Sequence, residues 1–364
     1  CTTVTVHTSA RIDFGGGWTD TPPYSLERGG TVLNAAVTLG GKYPIMAQAE
    51  LLDESVLVLD CRDIEATIEP RFAAQVLNYA NPGDLFALAK AALVYLGFIP
   101  ADSAPDVPIA DLLRPLGGGL RLSTSTSIPQ GSGLGTSSIL AGAILQCLAN
   151  LCGQPVEQAQ LFDQVLCLEQ MITTGGGWQD QVGGLVGGVK LVTTQPGLPQ
   201  VAHIQPVPLS ATLRDMLNTR LLLIYTGQRR LAKGLLRTIM GRYMAREPEM
   251  VSLLAEIATL AQEMHKALLA ADWASLGELV AAHWESNKRM DPGCTNPYID
   301  DLLAFCQPYI LGAKLSGAGG GGFAIALAHD LAAARELERQ LQARYPQPVR
   351  VWPCAVADRG MVSA

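Results

Sequence analysis

Ser127-Ile128-Pro129-Gln130-Gly131-Ser132-Gly133-Leu134-Gly135-Thr136-Ser137-Ser138 runs into an almost wholly apolar stretch that ends at Leu151. The rest of the chain is organised around it. It reads as a loop feeding the N-terminus of a buried helix. Gly131, Gly133 and Gly135 let the backbone turn tightly and approach a ligand closely. Thr136, Ser137 and Ser138 stand where an N-cap and first helical turn would sit. Free N–H groups and the helix dipole at such a point favour a phosphate. Hydroxyls beside a phosphate are also ready ligands for a magnesium ion. The same residues fit a Gly/Ser turn that caps an ordinary core helix. A Walker loop is excluded, because the Gly-Lys-[Ser/Thr] ending is missing.

The surrounding chain has 364 residues, enough for two domains that each bury a core. Hydrophobic residues make up 48% and charged residues 16%, which describes a globular chain and excludes a disordered one. Net charge is -7 with no Lys/Arg-rich run, which argues against nucleic acid or an anionic membrane as a partner. Ile139 to Leu151 is shorter than a bilayer span and contains Gln146 and Asn150. The eight cysteines are scattered without a Cys-x-x-Cys pair, so reduced thiols in a cytoplasm are expected. The five histidines have no zinc spacing. The chain starts at Cys1 in a strand-like alternation with no initiator Met, which suggests a chain cut from something longer.

Upstream, residues 2 to 14 alternate and read as strand. Gly15-Gly16-Gly17-Trp18-Thr19-Asp20-Thr21-Pro22-Pro23 then makes a rigid, irregular loop flanked by Arg11 and Asp13. An aromatic and an acid held between glycines and prolines point to a ligand. Thr31 to Val37 and Ser55 to Leu59 read as strands, Asp84 as the N-cap of a helix through Tyr95, and 99 to 118 as a surface excursion. Leu120, Leu122, Thr124 and Thr126 alternate as the strand that delivers the chain to the central loop.

Downstream, 155 to 172 is an amphipathic helix with Leu161, Val165, Leu168 and Ile172 as its stripe. Glu169 falls at the border of that stripe, either half-buried beside a cation or on the surface of a frayed end. Thr173 to Gly184 surrounds Trp178 and Asp180 with five glycines. Asp180 there is a candidate general base, or a plain turn residue. Residues 194 to 208 carry four prolines and read as a linker. Leu221 to Tyr225 is a short strand, and a run of helices follows. Arg229, Arg230 and Lys233 either reach phosphate or are solvated helix charges, and His283 reads as a packed surface-helix residue and not a catalyst. Lys314 to Phe323 formally matches Gly-x-Gly-x-x-Gly, but Phe323 to Leu327 looks like a strand where a dinucleotide fold needs a helix. A helix from about Asp330 to Arg344 and a strand through Val351 close the pass.

Three glycine-rich elements in this order, Arg11 to Pro23, Pro129 to Ser138 and Lys314 to Phe323, resemble the GHMP kinase superfamily of small-molecule kinases. The second, with the shape Pro-x-x-x-Gly-Leu-Gly-[Ser/Thr]-Ser, is the most specific. Gly-Gly-Trp-Thr-Asp-Thr-Pro-Pro, Gln-Gly-Ser-Gly-Leu-Gly-Thr-Ser-Ser and Thr-Gly-Gly-Gly-Trp-Gln-Asp-Gln are similar to phrases of its L-fucokinase branch. Some members of that branch carry a guanylyltransferase upstream, and the abrupt start fits a kinase half of such a protein.

The resemblance implies an α+β fold. Residues 1–207 would form an N-terminal, ATP-binding domain with a left-handed β-α-β unit, and 208–364 a ferredoxin-like C-terminal domain. It implies transfer of the ATP γ-phosphoryl to the anomeric hydroxyl of L-fucose. Pro129, Gly131, Ser132, Gly133, Leu134, Gly135, Thr136, Ser137 and Ser138 would wrap the triphosphate. Ser137 and Glu169 would hold Mg²⁺. Asp180 would be the base with Arg11 beside it. Asp20, Trp18, Thr21, Gly176, Gly177 and Trp178 would meet the sugar, and Gly317, Gly319 and Gly320 would close on sugar or phosphates. Galactokinase-like members carry Glu-His where this chain has Gly17-Trp18. A heptose-phosphate or arabinose kinase is the alternative enzyme, and a nucleotide sensor without turnover is the alternative from another class.

Overall fold

In the computed structural model, residues 2–81, 83–172, 175–228 and 234–363 are described. The strands in chain order are β1 (Thr3–Thr8), β2 (Ala10–Gly15), β3 (Thr31–Leu39), β4 (Ile45–Leu52), β5 (Leu57–Cys61), β6 (Ala66–Ile68), β7 (Gly119–Thr126), β8 (Val189–Thr193), β9 (His203–Pro206) and β10 (Leu221–Tyr225). They continue as β11 (Ile310–Leu315), β12 (Phe323–Ala328), β13 (Arg350–Trp352), β14 (Cys354–Val356) and β15 (Met361–Ser363).

One sheet has the order β15-β1-β4-β7-β5-β6, with β5 and β7 parallel. A parallel pair needs a long crossover, and the segment 62–118 supplies it with helices that include Ala87–Tyr95. A second sheet runs β14-β3-β8-β9, with β2 also paired to β3. The third, β11-β12-β10-β13, is built from a β-α-β-β-α-β succession, the ferredoxin-like arrangement. The central helix, Thr136–Leu151, is buried along most of its length and packs on β1 and β4 and against the helices Gln158–Met171 and Gln179–Leu185. A helix apolar on all sides needs partners on all sides, and this one has them.

Several local readings change. The expected strand 2–14 is two strands broken at Ser9, whose Oγ donates to the Gly184 carbonyl at 2.7 Å and whose N–H donates to Gly360. The helix expected from Asp84 starts at Ala87; Asp84 accepts from Phe86 N–H at 2.8 Å and pairs with Lys90 one turn on. The glycine-rich stretch at Asp180 contains the helix Gln179–Leu185. The linker at 194–208 holds β9, paired to β8. The last two strands return to the first half, β14 pairing with β3 and β15 with β1. Residues 354–363 therefore sit in the N-terminal sheets, although they lie after the 207/208 division.

The main core is continuous across that division: Ile12, Leu33, Ile139 and Val182 share it with Leu223, Met264 and Val280. A separate cluster packs Trp18 of the first glycine loop and Tyr24, which opens the short helix Tyr24–Arg28 after it, against Leu235, Ile239, Tyr243 and Ile257. This places the first loop between the two halves of the chain.

Candidate active site

Where the two halves meet, a cleft of about 370 Å³ opens. Gly17, Trp18, Asp20 and Thr21 line it from the first loop, and Gly133, Gly135, Ser137 and Ser138 from the second. Glu169, Gly176, Gly177 and Asp180 come from the middle segment, and Gly317 and Ala318 from the third loop.

The second loop delivers its helix to the cleft through Gly135, the N-cap, with φ at +73° and no side-chain cap. First-turn amides of a helix have no intrahelical partner, so the helix presents donors there. Gly133 has φ at +77°, and a Cβ on it would lie 2.3 Å from the Ser316 carbonyl oxygen. Only glycine lets the second and third loops approach this closely. Ser132 and Leu134 are buried, with the Ser132 carbonyl accepting from Phe323 and the Leu134 carbonyl from Arg11. Pro129, Gly131 and Thr136 stand outside the lining.

Arg11 is the hub. Its Nε donates to Asp180 Oδ1 at 2.7 Å, and Nη2 meets the same oxygen. Nη1 donates to Asp13 Oδ1 at 3.2 Å and to the Gly133 carbonyl at 3.1 Å. Burial opposes the Arg11 charge, but Asp180 and Asp13 outweigh it and hold the group above its ordinary pKa. Asp180 sits in the first turn of its helix with its side chain 30% exposed to the cleft.

Asp20 lies opposite. It accepts from the N–H of Trp18 at 3.1 Å, from the N–H of Gln179 at 3.2 Å and from Gln179 Nε2 at 3.2 Å. Burial, and then the charge of Asp180, push its carboxyl up to about 7. Gly177 makes room for it: a Cβ there would lie 2.0 Å from Asp20 Oδ2. Glu169 is buried and accepts from Ser138 Oγ at 2.5 Å. Its carboxyl is raised to about 7, by burial first, partly offset by the Ser138 bond. Its expected partner, Ser137, is exposed at the cleft surface, and the observed contact is to Ser138.

The two tryptophans separate. Trp18 has φ at +85°, is 8% exposed and borders the cleft. Trp178 does not reach it. It is packed in the main core under Gly30, where an added Cβ would meet its Cζ2 at 2.5 Å, so the expected sugar contact is corrected to a packing role. Gly319 and Gly320 turn against Cys294, whose carbonyl accepts from Gly320 N–H at 2.6 Å, and they too lie outside the lining, against expectation. His283 is packed, but inside the protein and not on a surface helix as expected: its Nε2 accepts from Gly16 N–H at 2.9 Å, and burial pushes its pKa down to about 3. Arg229, Arg230 and Lys233 lie outside the described residues.

Sequence reading missed Gln179, whose main chain and side chain both hold Asp20. An amide directly before the candidate base was the available signal. It also missed Leu236 and Ala318, which give the cleft its apolar edge beside Trp18, and Lys314, which pairs with Asp13.

The model of the GHMP kinases N terminal domain matches residues 107–188, and that of the GHMP kinases C terminal matches 264–347. An Arabidopsis thaliana bifunctional fucokinase/GDP-fucose pyrophosphorylase is 37% identical over 348 residues, 95% of this chain and 32% of that protein. A Bacteroides fragilis L-fucokinase/L-fucose-1-P guanylyltransferase is 37% identical over 352 residues, 96% of this chain and 37% of that protein. The chain thus spans about a third of the length of these curated relatives. Among solved structures, Lactococcus lactis galactokinase complexed with galactose superposes with a TM-score of 0.70 at 21% identity, covering 100% of this chain and 95% of that one.

Proposed function

Because the chain belongs to the GHMP kinase family, we propose that it transfers the γ-phosphoryl group of ATP to the anomeric hydroxyl of L-fucose, giving L-fucose 1-phosphate. The observation that carries this reading is the Arg11–Asp180 pair, set beside the head of the Thr136–Leu151 helix and across the cleft from Asp20. The two relatives at 37% identity, named as fucokinases, support the choice of sugar.

In the reaction, the sugar oxygen forms a bond to the γ-phosphorus, the bond from that phosphorus to the β–γ bridging oxygen breaks, and the hydroxyl proton goes to Asp180. Such transfer depends chiefly on positioning and charge stabilisation. Amides at the head of the Thr136–Leu151 helix, with Gly133 and Gly135 before it, hold the phosphates at the positive end of the helix. Both Arg11 donors converge on Oδ1 of Asp180, so Oδ2 is the oxygen that accepts the proton. Arg11 orients the acid through its contacts to Oδ1 and lies where charge develops. Asp20 accepts from sugar hydroxyls, and Trp18, Leu236 and Ala318 face the apolar part of the ring. Among the described lining residues Arg11 is the one cation, and it is committed to Asp180 and Asp13. A sugar that brings its own phosphate, such as a heptose phosphate, meets no second cation among the described lining residues.

The donor set suits Mg²⁺: Glu169, Ser137 and Ser138 offer hard oxygens at the phosphate end. Among the described residues no three His, Cys, Asp or Glu gather as a cage, the pattern of an ion held by one carboxylate and the nucleotide's own oxygens. Bound there, Mg²⁺ would neutralise charge between the β- and γ-phosphates.

No helix among the described residues is long and apolar enough to cross a membrane. We place the kinase in the cytoplasm, where ATP and free thiols coexist. The product would pass to a guanylyltransferase, the second activity in the name of the Bacteroides fragilis relative.

ADP release measured across L-fucose, D-arabinose, D-galactose and a heptose phosphate tests the proposal. Fucose-dependent release with a new anomeric phosphate signal is expected. Release with another sugar and none with fucose overturns the substrate. Nucleotide binding without release for any sugar overturns the kinase activity.

A further inference from the structure

Asp13 follows Arg11 by two residues on β2, so both side chains leave the same face of the strand. It does not line the cleft, yet one buried carboxylate serves three partners. Oδ2 accepts from Lys314 Nζ at 2.5 Å. Oδ1 accepts from Arg11 Nη1 at 3.2 Å and from the N–H of Gly317 at 3.2 Å. Lys314 comes from β11, 301 residues away, is fully buried and also donates to the Asp13 carbonyl at 3.1 Å. Ser316, two residues on, donates to the Gly133 carbonyl at 2.9 Å, the same oxygen that Arg11 Nη1 reaches. All three glycine-rich elements therefore meet around this one acid.

Arg11 and Lys314 face Asp13 and Asp180 in direct contact, with Asp20 acting on Arg11 from farther off and neutral His283 nearby. With Lys314 removed, Arg11 would be the only cation between two acids and would be drawn back toward Asp13. With Asp13 removed, the guanidinium would lose the anchor on its Nη1 edge, and Gly317 the acceptor for its N–H.

We propose that the buried Asp13–Lys314 pair is a positioning device that aims the Arg11 guanidinium at Asp180 and sets Gly317 on the edge of the cleft. Neither residue touches substrate. The inference rests on the phosphoryl-transfer reading, in which Arg11 and Asp180 must stay in register with the nucleotide.

The test replaces the pair by apolar side chains of similar size, D13L/K314M, and separately weakens it with K314Q. Exchanging a whole buried ion pair for packed apolar groups is often close to neutral for folding, so the double variant should melt near the wild type. Its kcat should fall by about 10- to 100-fold, the scale of an ångström-sized misplacement. KM for fucose should stay within about threefold, because the Asp20 contacts are untouched. In a crystal structure, Arg11 should have swung from Asp180 toward Asp13 in K314Q, and in the double variant should meet Asp180 with altered geometry, its Nη1 edge having lost the Asp13 anchor. K314Q leaves Asp13 its Arg11 partner and puts an amide donor where the ammonium was, so it is the second folded variant if the double variant does not fold, and it should show the same split of kcat from KM. A folded variant that turns over within about threefold of wild type, or that keeps the Arg11–Asp180 geometry, overturns the proposal. If the wild type phosphorylates no sugar, the functional reading fails instead, and the position of Arg11 in the variant still decides this one.

Discussion

Asp180→Asn isolates the chemistry. The amide matches the carboxylate in size, and its oxygen can still accept from Arg11 Nε, now 2.7 Å from Oδ1. The second position becomes an NH₂ donor and cannot take a hydroxyl proton. A positioned base is worth about 10²–10⁴-fold, which at 1.36 kcal/mol per tenfold is roughly 3–5 kcal/mol of barrier. The folding cost is smaller. Arg11 keeps Asp13 and the Gly133 carbonyl, and the Asp180 side chain is 30% exposed, so water screens the lost charge. That cost should be about 1–2 kcal/mol, below the 3–5 kcal/mol of a fully buried broken pair. Initial-rate ADP release at saturating ATP and fucose, alongside thermal melting, separates the two effects. Wild-type-like melting with kcat down at least about a hundredfold is expected. A folded D180N enzyme within about threefold of wild-type kcat would refute the base assignment, because no proton acceptor remains on that side chain.

Glu169→Gln should raise the Mg²⁺ concentration for half-maximal rate by about tenfold or more while leaving fucose KM unchanged; a magnesium titration at fixed ATP reads this, and an unchanged midpoint removes Glu169 from the metal site. Gly133→Ala forces a side chain into φ +77° and 2.3 Å from the Ser316 carbonyl, so ATP affinity should drop, and isothermal titration with a non-hydrolysable analogue that gives the wild-type Kd would contradict the close approach of the two loops. Ionised, Asp20 accepts with both oxygens, whereas protonated it accepts more weakly with one; its carboxyl is raised to about 7, so full acceptor capacity is present above that value and declines as pH falls through it. kcat/KM for fucose should therefore fall as pH drops below 7, and D20N, slow throughout, should keep only the part of that limb that Glu169, also raised to about 7, contributes; an unchanged limb in D20N removes Asp20 as a source of it.

Legibility in the sequence depends on how local each residue's role is. The glycine loop that opens the Thr136–Leu151 helix, the strand-loop-strand at Lys314 to Phe323 and the core stripe Leu161, Val165, Leu168 are set by near neighbours, and each lies where its pattern pointed. The helix Gln179–Leu185 was hidden because Gly183 and Gly184 lower helix propensity. Those glycines answer a tertiary demand instead. A Cβ on Gly184 would lie 2.2 Å from Ile139 Cδ1, and one on Gly183 would lie 3.0 Å from Arg11 Cβ. The tryptophans follow the same division. Trp18 and Trp178 both end a Gly-Gly-Gly-Trp run, but one takes φ +85° beside the cleft and the other φ -91° as a helix N-cap in the core. No local signal separates them.

Strands β14 and β15 have three residues each, too short for periodicity, and exist because β3 and β1 offer them open edges. The site follows this logic as well. Asp180, Glu169 and Ser137 stand out by their surroundings in the chain, while the order that makes them a site comes from contacts spanning 169 residues to Arg11 and 301 residues from Asp13 to Lys314. A lysine at the start of a glycine-rich loop looks like a solvated charge until the strand it belongs to is placed against the first one. At that point full burial leaves it one stable choice, the acid beside Arg11. The element that appears least specific in the sequence is thus the one whose position depends on both halves of the fold being correct.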